Sequence, residues 1–377
     1  MRDWKLGETW PFRYELIDGL RGIAALVVVM SHSGLLTGAG RYAVMAFFVI
    51  SGYCISASAE TCRRNNSSFR SFMFRRLHRI YPPYFFAIVF FVLTRIVKLA
   101  AGDHNDLNRP ILDWVQNLTL TQWVSLMFHP AAEATQNPKL LVAAFWSLNY
   151  EDQFYLVMAL ALLLAVRRQI SIFAVVMGFA AVGLAWICEW PGPWVTGLFI
   201  EYWLHFALGA LLFHVLCLNS STIVRGAFVI GVTALGLWST SRVLPWQSDT
   251  LLQQRALVEM AVACAVALFL FALRPLSAAC GRHLLWKPIA ALGAISYSLY
   301  LVHQFNLNAV ATVVNRLAPS AWQPVKLGAM VALQLLIATV FWYCCERPFL
   351  NRRAPGAGAL PRNAAVSRLQ QPGPAPS

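Results

Sequence analysis

Residues 16–34 read LIDGLRGIAALVVVMSHSG, a stretch that is apolar enough to enter a bilayer yet contains Asp18, Arg21 and His32. Charges within a membrane helix are costly unless they face protein or water, so such residues indicate function. Arg21 and His32 are eleven residues apart, which places them on one helix face and roughly 16 Å apart along its axis. Since that distance is about half the hydrocarbon thickness, we expect a cation near the membrane surface and an imidazole near the midplane.

The composition of the whole chain is that of a membrane protein. Its 377 residues are 58% hydrophobic and only 12% charged, which is too apolar for a soluble domain. The formal net charge of +14 does not indicate nucleic-acid binding, because the basic residues lie in short segments between apolar runs. The eight cysteines form no C-x-x-C spacing, so we expect neither disulfides nor a metal site.

Ten apolar segments are long enough to cross a bilayer as helices. The sequence therefore predicts an all-α, polytopic membrane bundle of about ten transmembrane helices. Most Lys and Arg residues lie on the side of the N-terminus, which predicts that both termini are cytoplasmic. The predicted spans are 16–36, 42–59, 81–101, 145–166, 170–188, 194–217, 223–241, 253–273, 288–311 and 323–345.

Three regions make up the expected domain organisation. Residues 1–15 form a cytoplasmic N-terminal segment, residues 16–350 the membrane domain, and residues 351–377 a disordered cytoplasmic tail rich in Pro, Ala and Gly. The apolar piece 111–128, in the longest outer loop, is expected to lie on the membrane surface or to re-enter the membrane. No internal repeat is evident, which weakens the case for a transporter built from duplicated halves.

Arginines are concentrated just before the third predicted span, in the stretch FRRLHRIYPPY at residues 74–84. In helical form, Arg75, Arg76 and Arg79 bring two or three guanidinium groups together. Each guanidinium group can donate two parallel hydrogen bonds to phosphate oxygens. The two prolines that follow predict the start of a helix. Ordinary positive-inside charge is the alternative explanation, and phosphate binding is the favoured one.

Polar residues mark two further apolar spans. Glu151, at the entry to the fourth span, could position an acceptor hydroxyl or support a general base, or it could pair with loop cations. Pairing is the favoured reading for Asp152. In the ninth span, Ser296, Tyr300 and His303 share a helix face by their i, i+4, i+7 spacing, and interhelical hydrogen bonding is the alternative use of this stripe.

Taken together, these motifs resemble the acyltransferase-3 family of integral membrane O-acyltransferases, which modify cell-surface polysaccharides, lipopolysaccharide O-antigens, Nod factors and some antibiotics. The resemblance runs from about residue 15 to residue 350, with the motifs in order. The stretches that carry it are 18–22 followed by His32, 47–53, 75–84, 146–155, 296–303 and 346–349.

The resemblance implies a donor, an acceptor and a location. The donor is cytoplasmic acetyl-CoA, or another short acyl-CoA, used as a co-substrate with no permanently bound cofactor. The acceptor is a hydroxyl of a cell-surface or lipid-linked glycan, and the protein is expected in the inner (plasma) membrane. The rival hypothesis is a non-catalytic transporter or flippase of a lipid-linked glycan, which would use the same intramembrane charges as a substrate path.

The resemblance also implies roles for the residues singled out above. Arg75, Arg76 and Arg79 hold the CoA phosphates at the inner mouth, and Arg21 orients the donor phosphate or carbonyl. His32 accepts the hydroxyl proton, with a covalent acyl-histidine as an open alternative. The residues expected to orient groups or to stabilise the oxyanion are Glu151, Tyr300 and His303.

Overall fold

The computed structural model describes residues 14, 16–65, 67–100, 102, 107–128, 140–189, 197–219, 221–243 and 251–350. The predicted N-terminal segment, apart from Tyr14, and the predicted tail 351–377 lie outside this part of the chain. All regular secondary structure in the described residues is helical. The predicted all-α class is therefore confirmed.

The described residues form fifteen α-helices, which are numbered α1 to α15 along the chain. They are α1 Leu16–His32, α2 Ala39–Arg64, α3 Phe69–Ala100, α4 Ile111–Thr119, α5 Gln122–Phe128, α6 Trp146–Arg168, α7 Ile172–Glu189, α8 Ile200–Phe213, α9 Thr222–Val243, α10 Leu251–Leu273, α11 Ser277–Arg282, α12 Trp286–Ala294, α13 Ser296–Val302, α14 Leu307–Leu317 and α15 Gln323–Phe341. Two π-helical segments, His214–Leu218 and Trp342–Glu346, continue α8 and α15.

Six segments of the described chain are long and apolar enough to cross a membrane. They are Ala39–Arg64, Phe69–Ala100, Ile200–Leu218, Thr222–Val243, Gln254–Leu276 and Gln323–Phe349, and each corresponds to one predicted span. The other four predicted spans coincide with α1, α6, α7 and the region of α12 to α14. A helical membrane bundle is therefore confirmed, whereas the number ten and the side of the termini stay predictions.

The ninth predicted span, 288–311, is wrong as a single helix. It is divided into α12, α13 and α14, with breaks at Ile295 and at residues 303–306. At the first break, Gly293 packs so closely on α1 that an added Cβ would overlap the carbonyl group of Asp18. The Ser296 hydroxyl also donates to the Gly293 carbonyl at 2.8 Å. The close contact with α1 and this local hydrogen bond therefore interrupt the helix, although the hydropathy of residues 288–311 shows no break.

The third predicted span begins too late. Its helix, α3, starts at Phe69, so the arginine motif is helical and Pro82 and Pro83 lie inside the helix instead of at its start. Prolines are tolerated within membrane helices where neighbouring groups satisfy backbone carbonyls. Close to the two prolines, the Tyr297 hydroxyl donates to the Ile80 carbonyl at 3.0 Å, which ties α13 to this part of α3.

The helix α2 lies at the centre of the bundle, in contact with α1, α6, α8 and α10. Glycines bring it close to α8. Gly52 of α2 lies against the backbone of Phe206, and Gly209 of α8 lies against the backbone of Val49. A Cβ at either glycine would overlap a carbonyl group of the other helix, so both positions require the smallest residue.

The short helix α4 turns its polar side toward the protein and its apolar side outward. Asp113 and Asn117 are buried, whereas Ile111 is 81% exposed. The hydroxyl of Tyr84, halfway along α3, donates to the Asn117 carbonyl at 2.5 Å. An outward apolar face at the level of the middle of a spanning helix is typical of contact with lipid, which favours re-entry for this piece.

Candidate active site

Arg21 and His32 lie on one continuous helix, α1. Arg21 is half-buried, and its Nε is buried with no hydrogen-bond partner among the described residues. The helix ends at His32, whose side chain is exposed. The imidazole therefore lies at the C-terminal end of α1. The predicted span 16–36 continues beyond this helix, so its predicted end is wrong.

The imidazole of His32 packs against that of His303, with 5.0 Å between the ring centroids and 71° between the ring planes. The Nδ1 atom of His32 lies 2.9 Å from the Val28 carbonyl oxygen, and that of His303 lies 2.8 Å from the Tyr300 carbonyl oxygen. A carbonyl only accepts, so Nδ1 is the donor in both rings and the lone pair of the neutral ring is on Nε2. The Nε2 of His303 is buried without a partner in the part of the chain that is described.

The hydroxyl of Tyr300 is used within the protein. It donates to the Ala144 carbonyl at 2.5 Å and lies 2.7 Å from the Ser147 hydroxyl, which must therefore be the donor of that second hydrogen bond. The side-chain amide of Gln334 donates to the His303 carbonyl at 3.0 Å. These bonds fix α13 against α6 and α15, and they direct the proton of the Tyr300 hydroxyl to the Ala144 carbonyl.

Glu151 faces α1 and α2. It accepts a hydrogen bond from the Tyr155 hydroxyl at 2.5 Å and lies 3.4 Å from the Ser51 hydroxyl. The charge of Arg21 interacts with the carboxylates of Glu151 and Asp18. Among the described residues, Glu151 makes no ion pair with a loop cation.

Asp152 points away from this group. Its carboxylate lies 3.4 Å from the hydroxyl of Tyr81 in α3, at hydrogen-bond distance. The favoured pairing of Asp152 with a loop cation is therefore not what the described residues show. The adjacent acids of α6 thus face different neighbours, because Glu151 faces α1 and α2 whereas Asp152 faces α3.

The three arginines of α3 do not act as one group. Arg75 donates to the Ser71 hydroxyl and to the Cys62 sulfur, both at 2.6 Å. Arg76 instead lies over the rings of Phe72 and Tyr155, at 5.8 and 5.7 Å from their centroids. The guanidinium groups of Arg75 and Arg76 therefore contact different parts of the protein.

Arg76 and Arg79 approach Arg21 from α3. All three cations interact with the buried thiol group of Cys54, and Arg21 and Arg79 both interact with Glu346. The Glu346 carboxylate also accepts hydrogen bonds from the backbone N–H of Ser298, at 3.1 Å, and from its hydroxyl. The sequence offers Glu346 only as part of the motif at residues 346–349, and the structure adds it to the site.

The arrangement has two chemically distinct ends. At one end, three guanidinium groups and three carboxylates leave a buried N–H of Arg21 without a partner, which suits an anionic or carbonyl oxygen. At the other end, two imidazole rings are in contact, and imidazole nitrogens can accept and donate protons. Within the described residues, no group of His, Cys, Asp and Glu side chains is arranged to hold a metal ion.

Comparison with known proteins gives relatives that match most of the chain. The family described as an acyltransferase domain matches residues 14–344. A protein of Komagataeibacter xylinus, whose name describes a membrane-bound transacylase, is 28% identical over 371 residues, covering 93% of this chain and 86% of that protein. No solved structure matches the chain significantly.

Two further relatives carry names that describe peptidoglycan O-acetyltransferases. The one from Bacillus subtilis (strain 168) is 24% identical over 385 residues, covering 94% of this chain and 57% of that protein. The chain thus spans little more than half the length of this relative. The one from Listeria monocytogenes is 28% identical over 185 residues, covering 45% of this chain and 28% of that protein.

Proposed function

The chain belongs to the acyltransferase-3 family of membrane acyltransferases, and on this premise we propose that it moves an acetyl or other short acyl group from cytoplasmic acyl-CoA to a hydroxyl of a cell-surface or lipid-linked glycan. The names of two relatives support such an acceptor, since both describe O-acetylation of peptidoglycan. Six long apolar helices support a membrane location, for which we propose the inner (plasma) membrane.

One observation carries the proposal: a basic imidazole nitrogen stands at the end of the helix that also bears Arg21. Because the Nδ1–H of His32 donates to the Val28 carbonyl at 2.9 Å, the lone pair is on Nε2. A positioned general base of this kind contributes roughly 10²–10⁴-fold in rate.

We propose direct transfer as the chemical step. The acceptor hydroxyl gives its proton to Nε2 of His32 while its oxygen attacks the thioester carbonyl. The tetrahedral intermediate then expels the CoA thiolate, which takes the proton from the imidazolium, so the products are the ester, CoA and a neutral His32. A covalent acyl-histidine is the alternative, and it would leave an acylated protein after incubation with acyl-CoA alone.

The donor phosphates are assigned to Arg21, Arg76 and Arg79. Guanidinium groups bind phosphate oxygens through paired, charge-assisted hydrogen bonds, and the unpartnered Nε of Arg21 supports a ligand at this position. Arg75 is left out of the assignment because its guanidinium is bonded to Ser71 and Cys62.

His303 is assigned the role of orienting the reacting groups. Its ring contacts His32, and its own Nε2 is buried and unpartnered. A lone pair at this position can accept a hydrogen bond from the acceptor hydroxyl before the proton moves to His32. Tyr300 and Ser147 hold the segment in place.

The test is acyl transfer by the purified protein in lipid nanodiscs. Labelled acetyl-CoA is supplied with envelope polysaccharide whose natural esters have been removed by mild alkali, and ester-linked label on the polysaccharide is measured. We expect transfer by the wild type, loss in His32→Ala, and retention in His283→Ala, because His283 is an exposed histidine outside α1 and α13. Full activity of His32→Ala would refute the mechanism, and absence of transfer by the wild type would favour the transporter or flippase.

A further inference from the structure

The ends of four helices bring together a second group of charged and aromatic side chains. Arg41 lies in the first turn of α2, Trp146 begins α6, Tyr202 lies in the first turn of α8, and Glu259 lies in the third turn of α10. Arg41, Trp146, Tyr202 and Glu259 are called the Arg41 cluster below. None of them has a role in the mechanism described above.

Arg41 contacts every other member of this cluster. Its Nε forms an ion pair with Glu259, its Nη2 donates to the Tyr202 hydroxyl at 2.6 Å, and its guanidinium carbon lies 5.0 Å from the centroid of the Trp146 ring. The Glu259 side chain is 3% exposed, whereas the Arg41 side chain is 29% exposed. The cluster therefore combines a buried carboxylate with a partly exposed guanidinium that lies over an indole ring.

The guanidinium of Arg41 has hydrogen-bonding capacity left over. It carries five N–H donors, and its hydrogen bonds within the described residues go to Glu259 and Tyr202. The remaining donors lie on the partly exposed side chain. They can bind oxygen atoms of a ligand without breaking the ion pair.

A buried histidine lies beside the cluster. His205 is 2% exposed, and in the described part of the chain neither of its ring nitrogens forms a hydrogen bond. The backbone groups of Tyr202 and Glu259 lie close to the ring and interact with it. Buried polar groups are normally paired, and this imidazole relies on backbone groups of α8 and α10.

Backbone contacts place the Arg41 cluster at the end of α1 that bears His32. Gly40 packs against Ser31 so closely that an added Cβ would lie 3.0 Å from the Cβ of Ser31. These two residues directly precede Arg41 and His32 in the sequence. The cluster is therefore at the end of α1 that bears the proposed base, opposite the end that bears Arg21.

We infer that the Arg41 cluster binds the sugar ring that carries the acceptor hydroxyl, an inference that rests on the proposed function. A sugar hydroxyl oxygen accepts hydrogen bonds, and the N–H groups of Arg41 that remain free match it as donors. Binding here places the sugar at the end of α1 that bears the proposed base.

The charges around the cluster favour an uncharged sugar. Glu259 also lies 3.3 Å from the Nε of Arg255, and the charge of Arg41 also interacts with that of Glu201. Two guanidinium groups are thus balanced by two carboxylates. A site without net charge gives little attraction for a uronic acid, so the inferred ligand is a neutral pyranose.

The inference is tested with Arg41→Gln and Arg41→Lys in nanodiscs, with de-esterified envelope polysaccharide as the acceptor probe and acetyl-CoA as the donor. Both variants are expected to raise the KM for polysaccharide at least about tenfold and to leave the KM for acetyl-CoA within about twofold. Arg41→Lys keeps a positive charge opposite Glu259, so it preserves the folded bundle while it removes the planar fork of donors.

Arg255→Gln is the comparator, because it removes the other cation from Glu259 without altering the contacts with Trp146 and Tyr202. We expect a much smaller rise in the KM for polysaccharide. Equal rises in Arg255→Gln and Arg41→Gln, or an unchanged KM in Arg41→Lys, would overturn the inference. The ion pair would then be a structural link between α2 and α10.

Sugar binding at the Arg41 cluster and the proposed function are refuted by different results. A wild-type protein that transfers no acyl group refutes the function, whereas normal transfer by Arg41→Lys refutes only sugar binding at the Arg41 cluster.

The neutral class of ligand is tested with polysaccharide whose carboxyl groups have been reduced. A KM equal to or lower than that of the unreduced form is expected, and a higher KM would overturn the assignment of an uncharged sugar.

Discussion

The guanidinium of Arg75 donates to the sulfur of Cys62 at 2.6 Å, which turns it away from the position of its neighbour Arg76. Arg76 lies over the ring of Tyr155, and Tyr155 is hydrogen-bonded to Glu151. Consecutive arginines of the same helix therefore contact different neighbouring helices.

This separation predicts different effects for the two arginines on donor binding. Arg76→Gln should raise the KM for acetyl-CoA at least about tenfold, since hydrogen bonds to charged groups are worth about 1.5–3 kcal/mol. Arg75→Gln should leave that KM within about threefold, because it alters only the contacts with Ser71 and Cys62. Initial rates at varied acetyl-CoA and saturating polysaccharide provide the measurement. Equal effects of the two substitutions would remove the assignment of Arg76 to the donor site.

Sequence patterns alone locate α1 and its two candidate side chains, because Arg21 and His32 lie in one apolar run at helical spacing. They do not tell which α3 arginine faces the site. Arg75, Arg76 and Arg79 differ only by rotation about the helix axis, and that rotation is set by packing against α2 and α6.

Long-range relationships are also beyond sequence patterns. Arg41 and Glu259 are 218 residues apart, and no local spacing marks them as a pair. The ninth predicted span fails for a similar reason, because the break near Ile295 follows from contact of Gly293 with α1 and not from a change in hydropathy.

The contact between His32 and His303 predicts that the two imidazoles act as a unit. His303→Ala should lower kcat about 10²-fold with an unchanged KM for acetyl-CoA, because it removes an orienting group and not a phosphate ligand. The double variant with His32→Ala should be no slower than His32→Ala alone. Initial rates of ester formation measure both effects. A multiplicative loss in the double variant would show that the two residues act independently.

The glycine contact between α2 and α8 predicts a steric effect on stability. Gly52→Ala places a Cβ against the carbonyl group of Phe206, and overpacking of this kind costs about 1–3 kcal/mol. The Tm of the detergent-solubilised protein should fall by several degrees. Gly231→Ala in α9 is the matched control, because no atom lies within 4 Å of the added Cβ. A Tm of Gly52→Ala equal to that of Gly231→Ala would contradict the close approach of these helices.

Glu151 is predicted to act through Arg21. Its carboxylate is fixed by the hydroxyl of Tyr155 at 2.5 Å and interacts with the charge of Arg21, so Glu151→Gln removes the charge that orients the guanidinium while keeping the shape of the side chain. We expect kcat/KM for acetyl-CoA to fall about 10- to 100-fold, which corresponds to about 1.4–2.7 kcal/mol.

Asp152→Asn is the matched control for Glu151→Gln, since Asp152 contacts Tyr81 in α3 and does not face Arg21. It should keep kcat/KM within about threefold, as is usual for a substitution away from the reacting groups. A loss of protein stability without a role in donor binding would lower the yield and the Tm but leave KM unchanged. A KM for acetyl-CoA that rises in Glu151→Gln but not in Asp152→Asn would therefore support a role of Glu151 through Arg21. Equal rises in the two variants would assign the effect to the packing of α6.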